Sequence, residues 1–275
     1  MSLFITSLNS GSNGNCYYIG NENEAVLIDA GLTCRETEKR MARLGLSMGK
    51  VKAIFISHEH GDHIKGVSVI SRKYQLPVYV TAATLRHARL DLPDHLVFTF
   101  EKFVTKRIGA LNVLGFPKFH DAAEPHSFVV EEGGVKIGIF TDIGVVCEQL
   151  YYYFGQCHAA FLEANYDEEM LENGRYPYHL KNRIRGGHGH LSNKQALDLF
   201  IARKPQFMSH LLLSHLSKDN NCPDLVSRMF KENAQDTEVM VASRYCETPI
   251  FEIVLETKPA QPALKHFAPV QLSMF

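Results

Sequence analysis

IFISHEHGDHI, residues 54–64, is the stretch on which the fold turns. Its first half is a continuous apolar run of the kind buried in a sheet, ending at Ser57. Its second half, His58, Glu59, His60, Gly61, Asp62 and His63, crowds three imidazoles and two carboxylates into one short turn. Such crowding is costly unless cations neutralise it, and imidazole nitrogen with carboxylate oxygen suits zinc, iron or manganese. His58 and His60 alternate along an extended segment and can face one ion. Asp62 and His63 open the next helix and can face a second. A solvated loop carrying chance histidines is a poor account of a motif that directly follows a buried strand.

Outward from that stretch, polar residues stand just after other apolar runs: His120 after LNVLGFPKF, Asp142 after KIGIFT and His215 after LLLS. Singly, a His or Asp in such a place is most often a cap or turn residue. With HEHGDH they predict strand ends converging on one rim, where a sheet holds each side chain and one edge stays open to solvent. His120 is preferred to His126 as a ligand because it directly ends an apolar strand; His126 is read as a surface or supporting residue. Strands are expected at 4–8, 16–19, 25–28, 53–56, 78–80, 111–116, 128–130, 136–140, 159–162, 211–213, 238–241 and 250–255. The Gly133-Gly134 pair inside FVVEEGGVKIGIF predicts a hairpin. Helices are expected at 34–44, 192–202 and 223–233. Strands alternating with helices, with hairpins among them, indicate a mixed α/β sandwich.

With 275 residues, 45% hydrophobic and 21% charged, the chain can bury one large core. Residues 1–256 are expected to form that domain. Pro259, Pro262 and Pro269 mark 257–275 as an extended tail. The first residues show no basic n-region, and no run reaches the roughly 18 apolar residues of a spanning helix, which places the protein in the cytoplasm. The 6 cysteines contain no C-x-x-C pair, which argues against a zinc ribbon or redox dithiol and for reduced, mostly buried thiols. A net charge of −1 excludes a global positive field, so contact with nucleic acid must come from a local patch. The 14 histidines are an excess that itself hints at metal.

The spacing H-x-H-x-D-H, as His58, His60, Asp62 and His63, together with Asp29 in LIDAG, resembles the metallo-β-lactamase superfamily over nearly the whole chain. The resemblance implies an αββα four-layer sandwich with two divalent metal ions at one edge, zinc first and manganese or iron as alternatives. It assigns His58, His60 and His120 to the first ion and Asp62, His63 and His215 to the second, with Asp142 bridging them and Asp29 orienting the ligand loop. Paired cations roughly 3.5–4 Å apart can generate a bridging hydroxide at neutral pH and clamp either a carboxyl or a phosphoryl group. Asp62 is thereby expected to serve catalysis as well as metal binding.

Further text selects among substrates. SGSNGNC is a Gly- and Ser-rich turn whose Ser10, Asn13 and Asn15 are candidates for approaching phosphate; an ordinary tight loop is the plain alternative. Glu163 in FLEANYD and His190 in GHGHLSN resemble the Glu and His with which tRNA-processing nucleases of the superfamily assist the leaving group. Read alone, His190 is a helix cap, as is His188. The set SGSNGNC, HEHGDH, FHDA, TDIG, EANYD, GHLSN and SHLSKDNN is similar to the WalJ/YycJ branch, whose members are regarded as 5′-to-3′ DNA exonucleases. That implies DNA, as single strands or duplex ends, for the substrate. Tyr166 departs from the His expected in EANYD. HLKNRIRGGHGH adds Lys181, Arg183 and Arg185 as candidate phosphate ligands, against the default of a solvated charged turn. A thioester or lactone hydrolase, an RNA-processing nuclease of the same fold and a nonenzymatic metal scaffold are the competing classes. Finally, Gln271, Leu272, Met274 and Phe275 in the terminal QLSMF resemble the peptide by which DNA polymerases and repair proteins dock on the sliding clamp, against the alternative that they fold back on the chain's own surface.

Overall fold

The structure is a computed structural model that describes residues 2–255. The expected tail at 257–275 and its clamp-like peptide lie outside the described residues. Two seven-stranded sheets face each other. The first runs in the order β14 (Phe251–Val254), β1 (Ser2–Asn9), β2 (Cys16–Gly20), β3 (Ala25–Ile28), β4 (Val51–Phe55), β5 (Val78–Val80) and β6 (Val97–Thr99). The second runs β13 (Glu238–Val241), β12 (His210–Ser214), β11 (Ala159–Glu163), β10 (Val135–Phe140), β9 (His126–Glu132), β8 (Leu111–Pro117) and β7 (Lys106–Ile108).

The inner faces interdigitate through Ile5, Tyr17, Ile28 and Phe55 from one sheet and Phe128, Ile137, Phe161 and Leu212 from the other. Tyr17 and Phe161 bring their rings to 4.9 Å across the interface. Each outer face is covered by helices, Cys34–Arg43 and Val67–Tyr74 on the first sheet and Glu148–Phe154, Asn193–Arg203 and Pro223–Lys231 on the second. This is the four-layer αββα sandwich that the family resemblance implied, and it fits the mixed α/β sandwich read from the strand and helix pattern. No helix among the described residues is long and apolar enough to cross a membrane. All six cysteines are free.

Strand direction builds the rim. β3 and β4 run parallel, as do β10, β11 and β12, so Asp29, Ser57, Asp142, Glu163 and His215 stand at strand ends of one sense in each sheet. β8 is antiparallel to β9, which is antiparallel to β10, so β8 delivers His120 to the same edge as Asp142. Asp29, Asp142 and His215 each leave their strand in the left-handed region, with φ of 60°, 55° and 57°. Non-glycine residues adopt this conformation at a cost that the surrounding structure must impose.

All twelve expected strands are present, with ends moved by a few residues, and Gly133 and Gly134 turn the β9–β10 hairpin at positive φ. β6 and β7 escape the sequence pattern because each is a three-residue edge strand, too short to show a period. The helices Val67–Tyr74, Glu148–Phe154, Glu168–Asn173 and Tyr178–Arg185 were likewise not expected; the last turns the basic segment HLKNRIR into a helix rather than a turn. His126 is buried, not at the surface. Its amide donates to the Ser57 carbonyl at 2.9 Å and its ring lies edge-on to Phe100, so it braces the ligand strand through its backbone.

One close approach holds the HEHGDH segment against the turns at Asn15 and Gly31. The Asn15 amide donates to the Asp62 carbonyl at 2.7 Å and the Gly31 amide to the Asn15 carbonyl at 2.8 Å. A Cβ on Gly31 would stand 1.7 Å from the Asp62 carbonyl oxygen and 2.7 Å from the Asn15 nitrogen. Because the obstruction is backbone, it cannot swing aside as a side chain would. Gly31→Ala is therefore expected to cost about 1–3 kcal/mol and lower Tm by several degrees. Thermal unfolding checks this, and an unchanged Tm would contradict the packing described.

Candidate metal centre

Ligand atoms gather in two overlapping groups at the rim. His58, His60 and His120 bring ring nitrogens within 4.8 Å of one another, and an Asp62 carboxylate oxygen lies as close to ring nitrogens of His63 and His215. His58 Nε2 and His60 Nδ1 approach to 3.1 Å. Asp142 lies between the groups, its carboxylate 3.2 Å from His63 Nε2, 3.5 Å from His215 Nε2 and 3.8 Å from His120 Nε2.

Each ring is held from behind. Asp29 accepts from His63 Nδ1 at 2.7 Å and from the Ser57 amide and hydroxyl at 2.8 and 2.7 Å. His120 Nδ1 donates to the Gly189 carbonyl at 3.0 Å. Glu163 Oε1 stands 3.1 Å from His215 Nδ1. Oxygen partners on Nδ1 leave Nε2 of His63, His120 and His215 turned toward the centre. There, His120 Nε2, His215 Nε2 and Asp142 Oδ2 are buried with no hydrogen-bond partner. Orphaned buried polar atoms are costly, and this donor set fits a pair of divalent cations.

The electrostatics point the same way. Burial, with the charge on His63, drives the His58 pKa well below the usual imidazole range, and burial brings His120 down to about 4. Both are thus neutral, as ligands must be. Burial opposes charge on His215 and His63 as well, yet Asp142 with Asp62 and Glu163 lifts His215 to about 10, and Asp142, Asp29 and Asp62 lift His63 well above its ordinary value. In the chain alone these two imidazoliums offset the buried carboxylates. Lys118 adds a buried cation, its Nζ donating to the Thr141 carbonyl at 2.7 Å.

Residues 10–180 match the family model described as the metallo-beta-lactamase superfamily. The chain belongs to this superfamily. As a superfamily member it is a metal-dependent hydrolase. It is 36% identical over 84% of its length to the exodeoxyribonuclease YycJ of Bacillus anthracis, covering 90% of that protein. It is 31% identical over 90% of its length to the exodeoxyribonuclease WalJ of Streptococcus pneumoniae, covering 96% of that protein. Among solved structures, the metallo-beta-lactamase fold protein YhfI from Bacillus subtilis superimposes with a TM-score of 0.72 at 15% identity, over 92% of this chain and 100% of that one.

Within this superfamily member, several sequence candidates take positions other than those expected. Ser10 and Asn15, read as phosphate contacts, are buried behind the ligands: Ser10 Oγ accepts from the His215 amide at 2.8 Å, and Asn15 Nδ2 reaches Asp62 Oδ2 at 3.1 Å. Asn13 is exposed and donates to the Arg244 carbonyl at 2.8 Å. Glu163 is wholly buried and has no surface with which to touch a substrate. Its Oε1 takes His190 Nδ1 at 2.8 Å, and its Oε2 accepts from the Ile143 and Leu191 amides at 2.8 and 3.1 Å. His190 is not the helix cap. Ser192 caps the helix Asn193–Arg203 in a capping box with Gln195, and His188 is exposed beside Phe119.

The basic segment divides. Lys181 and Arg185 are turned to Glu172, through its carbonyl and its carboxylate respectively, whereas Arg183 pairs with Asp121 beside His120 at 2.5 Å. Tyr166 packs with Leu171 and Ile184, away from the ligands. Sequence reading missed Ser57, Lys118 and Asn165. Asn165 Nδ2 donates to the His215 carbonyl at 2.7 Å, and its place in EANYD was the available signal.

Asn15→Ala is expected to weaken binding of the second cation by about 10–100-fold, measured by competition with a metal-sensitive dye. Unchanged metal affinity with a raised KM would instead place Asn15 on the substrate. Zinc loading is expected to release protons at neutral pH and to tighten as pH rises, because His63 and His215 must give up the charge they hold. Calorimetry in buffers of different ionisation heat reads this; heats independent of buffer would refute it.

Proposed function

We infer that the protein is a metal-dependent 5′-to-3′ DNA exonuclease acting in the cytoplasm. The observation that carries the reading is the Glu163–His190 pair beside the ligand cluster. His190 keeps 18% of its side chain open, and its ring stacks 5.2 Å from that of His215. A 3′ alkoxide leaving from a phosphodiester needs a proton, whereas a thiolate leaving from a thioester does not. The exodeoxyribonuclease names of the relatives support DNA as the substrate, and the free thiols fit a reducing compartment.

His58, His60 and His120 would hold one cation and Asp62, His63 and His215 the other, with Asp142 shared. Zinc is the first choice, with manganese or iron as alternatives. Bound there, two cations supply a nucleophilic water at neutral pH and polarise the phosphoryl group. Glu163 fixes the His190 ring through Nδ1, which leaves Nε2 to donate a proton to the departing 3′ oxygen. The same carboxylate steadies His215 and the Ile143 amide, so one buried group aligns the acid with the ligand set. Arg183, held by Asp121 next to His120, would meet the strand backbone. The QLSMF terminus, by its resemblance alone, would tether the enzyme to the sliding clamp.

His190→Ala is expected to slow DNA digestion by about 10²–10⁴-fold while slowing a nitrophenyl phosphodiester far less, since nitrophenolate leaves without a proton. Equal losses on both would remove the acid role. With 5′- and 3′-labelled oligonucleotides, the 5′ label should appear first as mononucleotide; early release of the 3′ label would reverse the polarity.

A further inference from the structure

Next to the metal centre lies a cavity of about 280 Å³ that the reaction as described leaves unused. It adjoins the ligand set directly. Ser10, which lines it, accepts from the His215 amide at 2.8 Å, and the lining continues through Leu216, the residue after that ligand. Leu216 and Val241 make an apolar floor, and Lys218, Arg244 and Tyr245 stand around it.

The basic groups are set for an anion. Arg244 reaches over the SGSNGNC turn, its guanidinium donating to Ser12 Oγ at 2.8 Å, and Gly11 makes room: a Cβ there would meet the guanidinium at 3.0 Å. Arg244 Nε is buried and has no hydrogen-bond partner. Among the described residues neither Arg244 nor Lys218 has a carboxylate within ion-pair distance. Asp219 is taken by the Tyr176 hydroxyl at 3.0 Å, and Glu247 by Arg43 at 2.6 Å. A guanidinium with an unpaired, desolvated N–H and an unpaired lysine beside an apolar floor match a phosphate joined to a sugar and base. Tyr245, 72% exposed at the mouth, offers a ring for base stacking.

Position sets which nucleotide this is. His190 protonates the 3′ oxygen of the departing nucleotide, and its ring stacks on His215. His120 stands equally close to His190, at 5.3 Å, and of the two sides the one beside His215 opens on the cavity, where a departing nucleotide would have room. The geometry points to a subsite for the terminal nucleotide of the strand, in which Arg244 and Lys218 bind the 5′-phosphate. This rests on the exonuclease reading above. It assigns end recognition to the junction of the SGSNGNC turn, the SHLSK segment and the loop after β13, in a chain whose net charge of −1 supplies no general attraction to DNA.

The test uses the full chain and two oligothymidylates that differ only in carrying a 5′-phosphate or a 5′-hydroxyl. Binding is read by anisotropy on cleavage-resistant phosphorothioate versions, and digestion on ordinary ones. The wild-type protein should bind the 5′-phosphorylated strand about tenfold more tightly. Arg244→Ala should bring that ratio to about one, Arg244→Lys should restore part of it, and Lys218→Ala, at an exposed site, should reduce it severalfold. The ratio is taken within each variant, so a general loss of activity cancels. A wild-type ratio of one, or a ratio kept by both alanine variants, overturns the subsite. Digestion from the 5′ end without phosphate preference removes the subsite and leaves the exonuclease. Phosphate-dependent binding without digestion from either end leaves the subsite and removes the exonuclease.

Discussion

Asp142 is buried among His63, His120 and His215, and ionised groups of this density do not survive inside a protein without compensation. Its nearest countercharges are His215 and His63, which hold its pKa well below the carboxylate range although burial works against that. Much of the surrounding structure serves this balance. Asp29 anchors His63 and the Ser57 segment, Glu163 anchors His215 and His190, and Lys118 places a further positive charge behind the rim. Divalent cations bound there would relieve the arrangement by taking over the role of the imidazolium protons, which would link metal affinity to pH.

The two sheets make such a balance affordable because their hydrophobic contact is separate from it. Phe55, Tyr17, Phe128 and Phe161 pack between the sheets, while the ionisable residues sit beyond the strand ends. The backbone cost of turning Asp29, Asp142 and His215 into the left-handed region is met by that rigid platform. A loop without it would relax and let the ligands drift apart.

On the proposed reading Glu163 would be a positioning residue and His190 the group that faces substrate. The distinction follows from burial: one carboxylate with no exposed surface bonds two rings and backbone amides from separate segments, and the ring it holds is partly open. SGSNGNC has the same division. Ser10 and Asn15 look inward to the ligands, while Ser12 looks outward to Arg244.

Much of this was legible in the chain itself. HEHGDH, the polar residues after apolar runs and the strand spacing are local patterns, written in consecutive residues, and they sufficed for a mixed α/β sandwich with HEHGDH, His120, Asp142 and His215 on one rim, whereas the αββα layering and the parts of Asp29, Glu163 and His190 came from the family resemblance. β6 and β7 were not legible because three-residue edge strands carry too little apolar periodicity. Which side chains face the substrate was not legible either. Asn15 lies 47 positions from Asp62, Ser10 lies 205 from His215, and Arg244 lies 232 from Ser12. Sequence shows that a residue is able to donate or accept a hydrogen bond. Only the packing of distant strands decides what it meets, because a contact across such separations depends on where both sheets bring the chain and not on the residues beside it.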